Sequence, residues 1–385
     1  MTSVEWGESP LTCGRAQPGG EGRMPEAVTW CARVLLLLVS WTLLGCAGGG
    51  DSDPDAGNDA ARSQTDLAVQ EVSVDLVETP DLLATRPPFV AVTFNTGTGG
   101  SAPAEGNYGY NHDQAFYNDE YYGNGIGWVP FVEMTREWFA EVDPDVVVFQ
   151  EIFWPGDCAG MPPEANAGFV CEGWEEGDLT VMEMLLGTDY QYMCNPGHPD
   201  KCAAVHQRFG SFRGCAESVC LEGMAGFKVE GCGGAARIGR ATIDLVGGGT
   251  LTLVNIHGSS GLTEEDAACR VKQFEQIFVD LGDGEPGVNG PINLAMGDLN
   301  TDPGRLNASD ASAARFNDFV GPGKPFHYIT EVGMDAPGTY GVLNIDHVVS
   351  DHLTGSCWHP TVSEGHGPVM EAFFFDHLPA VCQLQ

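Results

Sequence analysis

The sequence has 385 residues, of which 43% are hydrophobic and 18% are charged, so it can form a hydrophobic core of ordinary size. Its 54 acidic residues against 17 basic residues give a formal net charge of -37. This charge excludes a basic protein that binds nucleic acid by neutralising phosphates over its whole surface. The absence of a glycine period, a long heptad pattern and a long apolar run excludes collagen, coiled-coil and multi-span membrane proteins.

A short apolar run near the N-terminus has the length of a signal-peptide core. It covers residues 34–45, about a dozen residues, whereas a membrane-spanning helix needs about 20. Its Leu-Leu-Gly-Cys end, at Cys46, resembles a bacterial lipobox, which implies that Cys46 carries a lipid. Residues 1–45 are therefore predicted to be a lipoprotein signal peptide, with Met24 as an alternative start. An ordinary cleaved signal with a chance cysteine is the alternative reading.

The signal predicts an exported bacterial lipoprotein of the cell envelope, with the outer membrane favoured, or an extracellular protein. The lipid would be its only attachment to a membrane, and no obligate protein partner is indicated. Residues 46–87 are rich in Asp and Gly and predict a disordered acidic tether, because such a segment cannot bury a core. Residues 88–385 are predicted to be the catalytic domain, with a disulfide-rich insertion at 153–236.

Ten cysteines follow Cys46, and an even number in an exported chain predicts disulfide bonds. No C-x-x-C pair is present, which argues against a zinc site. Connectivity does not follow from sequence, and the hypothesis is that neighbours pair. The pairs would then be Cys158–Cys171, Cys194–Cys202, Cys215–Cys220, Cys232–Cys269 and Cys357–Cys382.

From residue 88 onward the sequence contains apolar runs of strand length and segments with helical spacing. Strands are predicted at 89–94, 145–149, 190–194, 202–205, 241–245, 250–256, 292–296, 345–349 and 373–375, and helices at 130–142 and 264–281. Strict βαβ alternation is absent. The pattern therefore favours an α+β fold with two packed sheets over a doubly wound parallel sheet.

Polar residues lie at the ends of six of the nine predicted strands. These residues are Asn95, Glu151, His257, Asp298, Asn300, Asp346, Asp376 and His377. One strand that ends in Asp or Asn is normal turn chemistry. Several such ends at one edge of a scaffold would form a cluster of carboxylates, amides and imidazoles. Such a cluster is suited to a hard divalent cation and a phosphate.

The Gly-Asp-Leu-Asn motif at 297–300 and the Asp-His-Leu-Pro motif at 376–379 resemble those of the endonuclease/exonuclease/phosphatase superfamily. Its members include pancreatic-type deoxyribonucleases, bacterial neutral sphingomyelinases and inositol-polyphosphate phosphatases. The resemblance covers about residues 88–385. It implies a four-layer α/β sandwich, in which two mixed sheets are flanked by helices, and a metal-dependent hydrolase that acts on phosphoester bonds.

The resemblance also implies a role for each residue at the strand ends. Glu151 would be the main ligand of Mg²⁺, or of Mn²⁺ in its place, assisted by Asn95 and with Asp376 near the metal. Asp298 would orient or deprotonate the attacking water, and Asn300 would hold the phosphate.

The two histidines of this set would act on the phosphate. His257 would contact a phosphoryl oxygen, and His377 would be the second imidazole, acting as acid or base. Asp346 would hold the tautomer of His377.

Three arginines are candidates for substrate binding in a chain so poor in positive charge: Arg208 and Arg240, with Arg237 as a further one. The substrate would be nucleic acid, or a phospholipid or other small phosphodiester. The acidic charge disfavours a long polyanion, because it is repelled away from the local site. The alternative from outside this class is a catalytically silent surface lipoprotein that uses the fold for binding.

Overall fold

Two mixed β-sheets lie at the centre of the computed structural model, which describes residues 87–100, 108–360 and 374–385. The strands are β1 (Phe89–Asn95), β2 (Val146–Gln150), β3 (Tyr190–Cys194), β4 (Cys202–His206), β5 (Gly210–Phe212), β6 (Val219–Cys220), β7 (Ile238–Leu245), β8 (Thr250–His257), β9 (Asn293–Asp298), β10 (His327–Tyr328), β11 (Asp346–Ser350), β12 (Gly355–Trp358) and β13 (Ala380–Leu384). One sheet has the strand order β12-β13-β1-β2-β4-β3-β6, and the other has the order β10-β11-β9-β8-β7-β5. Because β1 and β2 are parallel, as are β8 and β9, whereas most other neighbours are antiparallel, both sheets are mixed.

The two sheets pack face to face and carry helices on their outer faces. The helices are α1 (His112–Tyr121), α2 (Val129–Val142), α3 (Pro163–Asn166), α4 (Val181–Leu186), α5 (Glu264–Phe278) and α6 (Ala311–Asn317), with a 3₁₀ turn at Pro155–Cys158. Ala91 and Val148 of the first sheet pack with Leu253 and Met296 of the second. Successive residues of a strand point to opposite faces of its sheet, so the strand residues that alternate with these four point toward the helices. The predicted four-layer α+β sandwich is confirmed.

Each outer layer is fixed by an apolar helix face. Phe131, Trp138 and Phe139 of α2 pack on the first sheet, and Phe274 of α5 and Phe316 of α6 pack on the second. Thr263 is the N-cap of helix α5, and its side chain accepts a hydrogen bond from Asp266 N in a capping box.

The prediction of a strand at 373–375 is wrong for the two residues of that range that the structure describes. Phe373 lies outside the described residues, and Phe375 makes only an isolated bridge with Thr98. The last strand, β13, starts at Ala380, directly after Pro379, because proline cannot donate to a central ladder. The other predicted strands and both helices are confirmed within a few residues at their ends.

All five predicted disulfides are present: Cys158–Cys171, Cys194–Cys202, Cys215–Cys220, Cys232–Cys269 and Cys357–Cys382. Three of them close loops within the 153–236 region, and Cys232–Cys269 joins that region to α5. Because this region has few long strands, the cross-links restrict loops that have little core of their own.

The predicted signal peptide, the lipid-bearing Cys46 and nearly all of the 46–87 tether lie outside the described residues. Within the described ranges, no helix is long and apolar enough to cross a membrane.

Candidate active site

Strand register brings the predicted polar residues to one edge of the sandwich. Asn95 is aligned with Gln150, the residue before Glu151, at the end of the parallel pair β1–β2. In the second sheet Asp298 is aligned with His257 on one side and with Asp346 on the other. The sequence places a polar residue at each strand end, and the register then determines that these ends are neighbours.

Three side-chain oxygens converge on one point above Gly97. A Cβ atom built on Gly97 would lie 2.6 Å from Glu151 Oε2 and 3.1 Å from both Asn95 Oδ1 and Asp376 Oδ1. Asp376 Oδ1 is buried and has no hydrogen-bond partner among the described residues. Oxygen atoms from carboxylates and amides are the donors that Mg²⁺ and Mn²⁺ prefer. These residues therefore fit a hard cation.

Backbone geometry directs two of these oxygens to that point. Glu151 has a φ of 56°, in the left-handed region, which turns the chain sharply after β2. Asp376 N donates to Gly97 O at 3.2 Å, so the C-terminal segment is held against the end of β1. Strain at a residue with this φ is frequent at functional sites.

Glu151 faces His257, whose Nε2 lies 3.3 Å from Glu151 Oε1. Burial alone would raise the pKa of Glu151, but His257, the charge of His377 and the hydrogen bond from Asn95 outweigh it and leave the pKa below its usual value. An ionised carboxylate is the form that binds a cation.

Asp298 is completely buried and is held by two asparagines. Its Oδ1 accepts from Asn300 N at 2.7 Å, and its Oδ2 accepts from Asn300 Nδ2 at 2.8 Å and from Asn95 Nδ2 at 3.0 Å. Burial raises the pKa of Asp298 to about 6. A carboxyl group with a pKa near the working pH is suited to take up a proton.

Asn300 therefore orients Asp298 in this structure. Its Nδ2 donates to Gly258 O at 3.0 Å as well as to Asp298, so both amide hydrogens are engaged. The phosphate contact that the resemblance implies for Asn300 stays a prediction.

His377 and Asp346 form a buried pair. The His377 Nδ1 atom lies 2.8 Å from Asp346 Oδ2, and both residues are at most 6% exposed. Burial alone would lower the pKa of His377, but the charges of Asp346 and Asp298 raise it to about 10. The pair fixes the proton on Nδ1 and leaves Nε2 facing Asp298 Oδ2 at 3.9 Å.

Asp298, Asp346 and His377 offer ligand atoms within 4.8 Å of one another, a spacing that could hold an ion. Asp346 Oδ2 and His377 Nδ1 already bond to each other, and both oxygens of Asp298 already accept hydrogen bonds from Asn300. Among the described residues each set includes one unpartnered carboxylate atom, Asp346 Oδ1 here and Asp376 Oδ1 above Gly97. The set above Gly97 consists of oxygen atoms alone, which a hard cation prefers to an imidazole nitrogen, so it fits a cation better.

The structure does not bring Arg208 to this cluster. Its guanidinium is 2.7 Å from both Asp143 and Asp145, at the start of β2, whereas Glu151 follows the other end of that strand. At about 3.3 Å per residue the two ends are about 20 Å apart. The predicted contact of Arg208 with the substrate does not fit this position.

Arg240 is likewise engaged elsewhere. It donates to Asp283 Oδ2 at 2.6 Å and to Pro286 O at 3.0 Å, both in the loop after α5. Its side chain is only 13% exposed, so the predicted contact with substrate does not fit either.

Tyr340 is a site residue that sequence reasoning missed. Its ring centre lies 4.9 Å from that of His377, and the residue is 37% exposed. It comes from an irregular segment between β10 and β11, where neither periodicity nor a motif marks it. Only the tertiary structure places it beside the site.

No family model and no curated protein matches the sequence. Solved structures do match. One is an endonuclease/exonuclease/phosphatase from Beutenbergia cavernae, with 13% identity over 78% of this chain and 72% of that chain and a TM-score of 0.46. A humanized TDP2 from D. rerio has 12% identity over 77% and 99%, with a TM-score of 0.44. ANGEL2, a 2',3'-cyclic phosphatase, has 11% identity over 77% and 95%, with a TM-score of 0.44.

The description of the Beutenbergia cavernae structure is that of the superfamily which the two sequence motifs resemble. At these identities and TM-scores the chemistry has to be argued from the site of this chain.

Proposed function

We propose that this protein is a hydrolase of the endonuclease/exonuclease/phosphatase superfamily that cleaves phosphodiester or phosphomonoester bonds by in-line attack of water. The observation that carries the proposal is the convergence of the Glu151, Asn95 and Asp376 oxygens beside a buried acid and an oriented imidazole. In-line attack needs charge neutralisation, a positioned water and a proton acceptor. This edge of the sandwich supplies groups for all three.

Glu151, Asn95 and Asp376 would hold Mg²⁺, or Mn²⁺ in its place. The bound cation would neutralise charge on the phosphoryl group and polarise it. A protonated Glu151 would hold a cation poorly, and the lowered pKa of its carboxyl keeps it ionised.

Asp298 would accept the proton of the attacking water. Asn300 and Asn95 donate to its carboxylate, so the oxygens have one fixed orientation and little reorganisation is needed. The buried position keeps bulk water away from the acid.

His257 and His377 would donate hydrogen bonds to the phosphoryl oxygens. His377 is oriented by Asp346 through Nδ1, which leaves Nε2 as the atom that faces the site. His257 is 5% exposed; its Nε2 faces Glu151 Oε1 at 3.3 Å, and its Nδ1 has no hydrogen-bond partner among the described residues. A buried polar atom without a partner is costly unless a ligand completes it.

We also propose that the enzyme is exported and anchored through a lipid on Cys46. The five disulfides support export, because disulfides persist in oxidising compartments. The substrate would be nucleic acid, or a phospholipid or other small phosphodiester. The ring of Tyr340 beside His377 is suited to an apolar or base-like leaving group.

A substrate panel tests the proposal: plasmid DNA, RNA, sphingomyelin and bis-p-nitrophenyl phosphate, each with Mg²⁺ and with excess EDTA. We expect cleavage of at least one substrate with Mg²⁺ and none with EDTA. Asp298→Asn is the matched control, since it keeps the size of the side chain and removes the acid. Cleavage of none of the four would contradict the proposal and favour the silent lipoprotein that binds through this fold.

A further inference from the structure

A cavity of about 780 Å³ opens beside the candidate active site and shares His257 with it. Its charged lining residues are Lys201, Lys228, Arg237 and Asp200, together with His198. They come from the turn after β3 and from the loop between β6 and β7, which belong to the insertion predicted at 153–236. The volume is that of an ordinary small-molecule site.

The lining is positive in a chain of opposite charge. The sequence has 54 acidic and 17 basic residues, and four of the basic residues are lysines, of which two line this cavity. Lys201 is paired with Asp200, the one carboxylate of the lining. Lys228 is exposed and makes no ion pair with any described residue.

Arg237 also lacks a carboxylate partner within the described chain. Its guanidinium donates to two carbonyls, Gly258 O at 3.0 Å and Gly233 O at 3.4 Å. Carbonyl groups position the guanidinium and leave its charge uncompensated. Arg208 and Arg240 differ, because acidic side chains neutralise both.

Backbone contacts connect the cavity to the candidate active site. His257 N donates to Arg237 O at 3.0 Å, and Ile152 N, directly after Glu151, donates to Asp200 O at 3.0 Å. His257 itself lines the cavity; its Nε2 lies 3.3 Å from Glu151, and its Nδ1 has no hydrogen-bond partner among the described residues. A group in the cavity would therefore be next to a phosphate held by the catalytic residues.

Two disulfides hold the walls of the cavity in place. Cys194–Cys202 closes the turn that carries His198, Asp200 and Lys201, and Cys232–Cys269 attaches the segment before Arg237 to α5. A loop fixed in this way loses little conformational entropy when it binds a ligand.

We propose that this cavity binds a second phosphate group of the substrate, close to the scissile one. The inference rests on the proposed function and deepens it: the preferred substrate carries two phosphates, as a nucleoside bisphosphate derivative or a short stretch of nucleic acid does. Lys228 and Arg237 would bind the second phosphate through charge-assisted hydrogen bonds. The acidic remainder of the surface would then select for short substrates.

The test compares two substrates that differ by one phosphate: the p-nitrophenyl ester of thymidine 5′-phosphate, with and without a 3′-phosphate. In the full chain with Mg²⁺ the second phosphate should raise kcat/KM about tenfold, the effect expected of hydrogen bonds to charged groups. Lys228→Gln and Arg237→Gln should each remove most of this gain. Lys324→Gln, an exposed lysine that lines a different cavity, is the charge-matched control and should keep it.

A third ester, in which the 3′-phosphate is joined to a second thymidine, distinguishes a nucleoside bisphosphate from a nucleic-acid chain as the source of the second phosphate. A gain equal to that of the free 3′-phosphate indicates a nucleic-acid chain, and a smaller gain indicates a terminal phosphomonoester.

Calorimetry tests the second-phosphate site separately from the proposed hydrolase activity. Tighter binding of thymidine 3′,5′-bisphosphate than of thymidine 5′-phosphate, lost in Lys228→Gln, supports the cavity even if no ester is cleaved. Cleavage with equal kcat/KM for both esters, and equal binding of both nucleotides, would overturn the cavity assignment and leave the proposed function standing.

Discussion

Replacing Gly97 with alanine should disable the candidate metal site while leaving the fold intact. The new Cβ would lie 2.6 Å from Glu151 Oε2, whereas ordinary contacts start at 3.4 Å, so the carboxylate has to retreat by about 0.8 Å (3.4 minus 2.6). Mg²⁺ needs near-ideal ligand positions at about 2.1 Å, and a retreat of this size breaks a ligand bond. We expect the affinity for Mg²⁺ to fall by about 10 to 100-fold, as for other disturbances of a ligand shell.

The matched control is Gly99→Ala. Its Cβ would meet nothing closer than Asp376 Cβ at 3.9 Å, and its backbone φ, like that of Gly97, is not in the left-handed region. The assay is Mn²⁺ binding by calorimetry, with hydrolysis of bis-p-nitrophenyl phosphate over a Mg²⁺ titration and the melting temperature as a check on folding. Wild-type Mn²⁺ affinity in a folded Gly97→Ala protein would refute the assignment of the cation to these oxygens.

Three further predictions concern Glu151, the His377–Asp346 pair and His347. Glu151→Gln should raise the Mg²⁺ concentration needed for half-maximal activity by about tenfold or more, since it removes the charged ligand; a Mg²⁺ titration checks this, and full wild-type activity in excess EDTA would contradict it. His377→Ala should lower kcat by at least about 10², and Asp346→Asn should lower kcat by much of the same factor. Because the pair acts as a unit, the double variant should be little worse than His377→Ala alone. Fully additive losses in steady-state kinetics would mean that Asp346 acts elsewhere. Burial lowers the pKa of His347 from 6.5 to about 4, so the folded state keeps the neutral imidazole over a pH range in which the unfolded state takes up a proton. The free energy of unfolding should therefore fall by about 3 kcal/mol as the pH drops from above 6.5 toward 4. Urea unfolding at several pH values checks this, and the same pH dependence in His347→Gln would contradict it.

Local pattern predicted most of the scaffold. An apolar run of strand length that ends in a polar residue marks both the strand and the candidate ligand, which is how Asn95, Glu151 and Asp298 could be found in the sequence. The hypothesis that neighbouring cysteines pair gave the correct disulfides, because cysteines close in sequence are often close enough to bond. The strand at 373–375 failed because an apolar run by itself does not show whether a partner strand is beside it.

The sequence by itself determined which residue types end each strand, and therefore the chemistry that the site can offer. Only the tertiary structure decided which of these residues meet. Arg208 has the right charge, but its position just after β4 places it at the wrong end of the sheet, beside Asp145. The Asp376 oxygen and the cavity lined by Lys228 depend on segments far apart in the chain. The physical reason is that periodicity is a property of neighbouring residues, whereas a site depends on strand register and packing between distant ones.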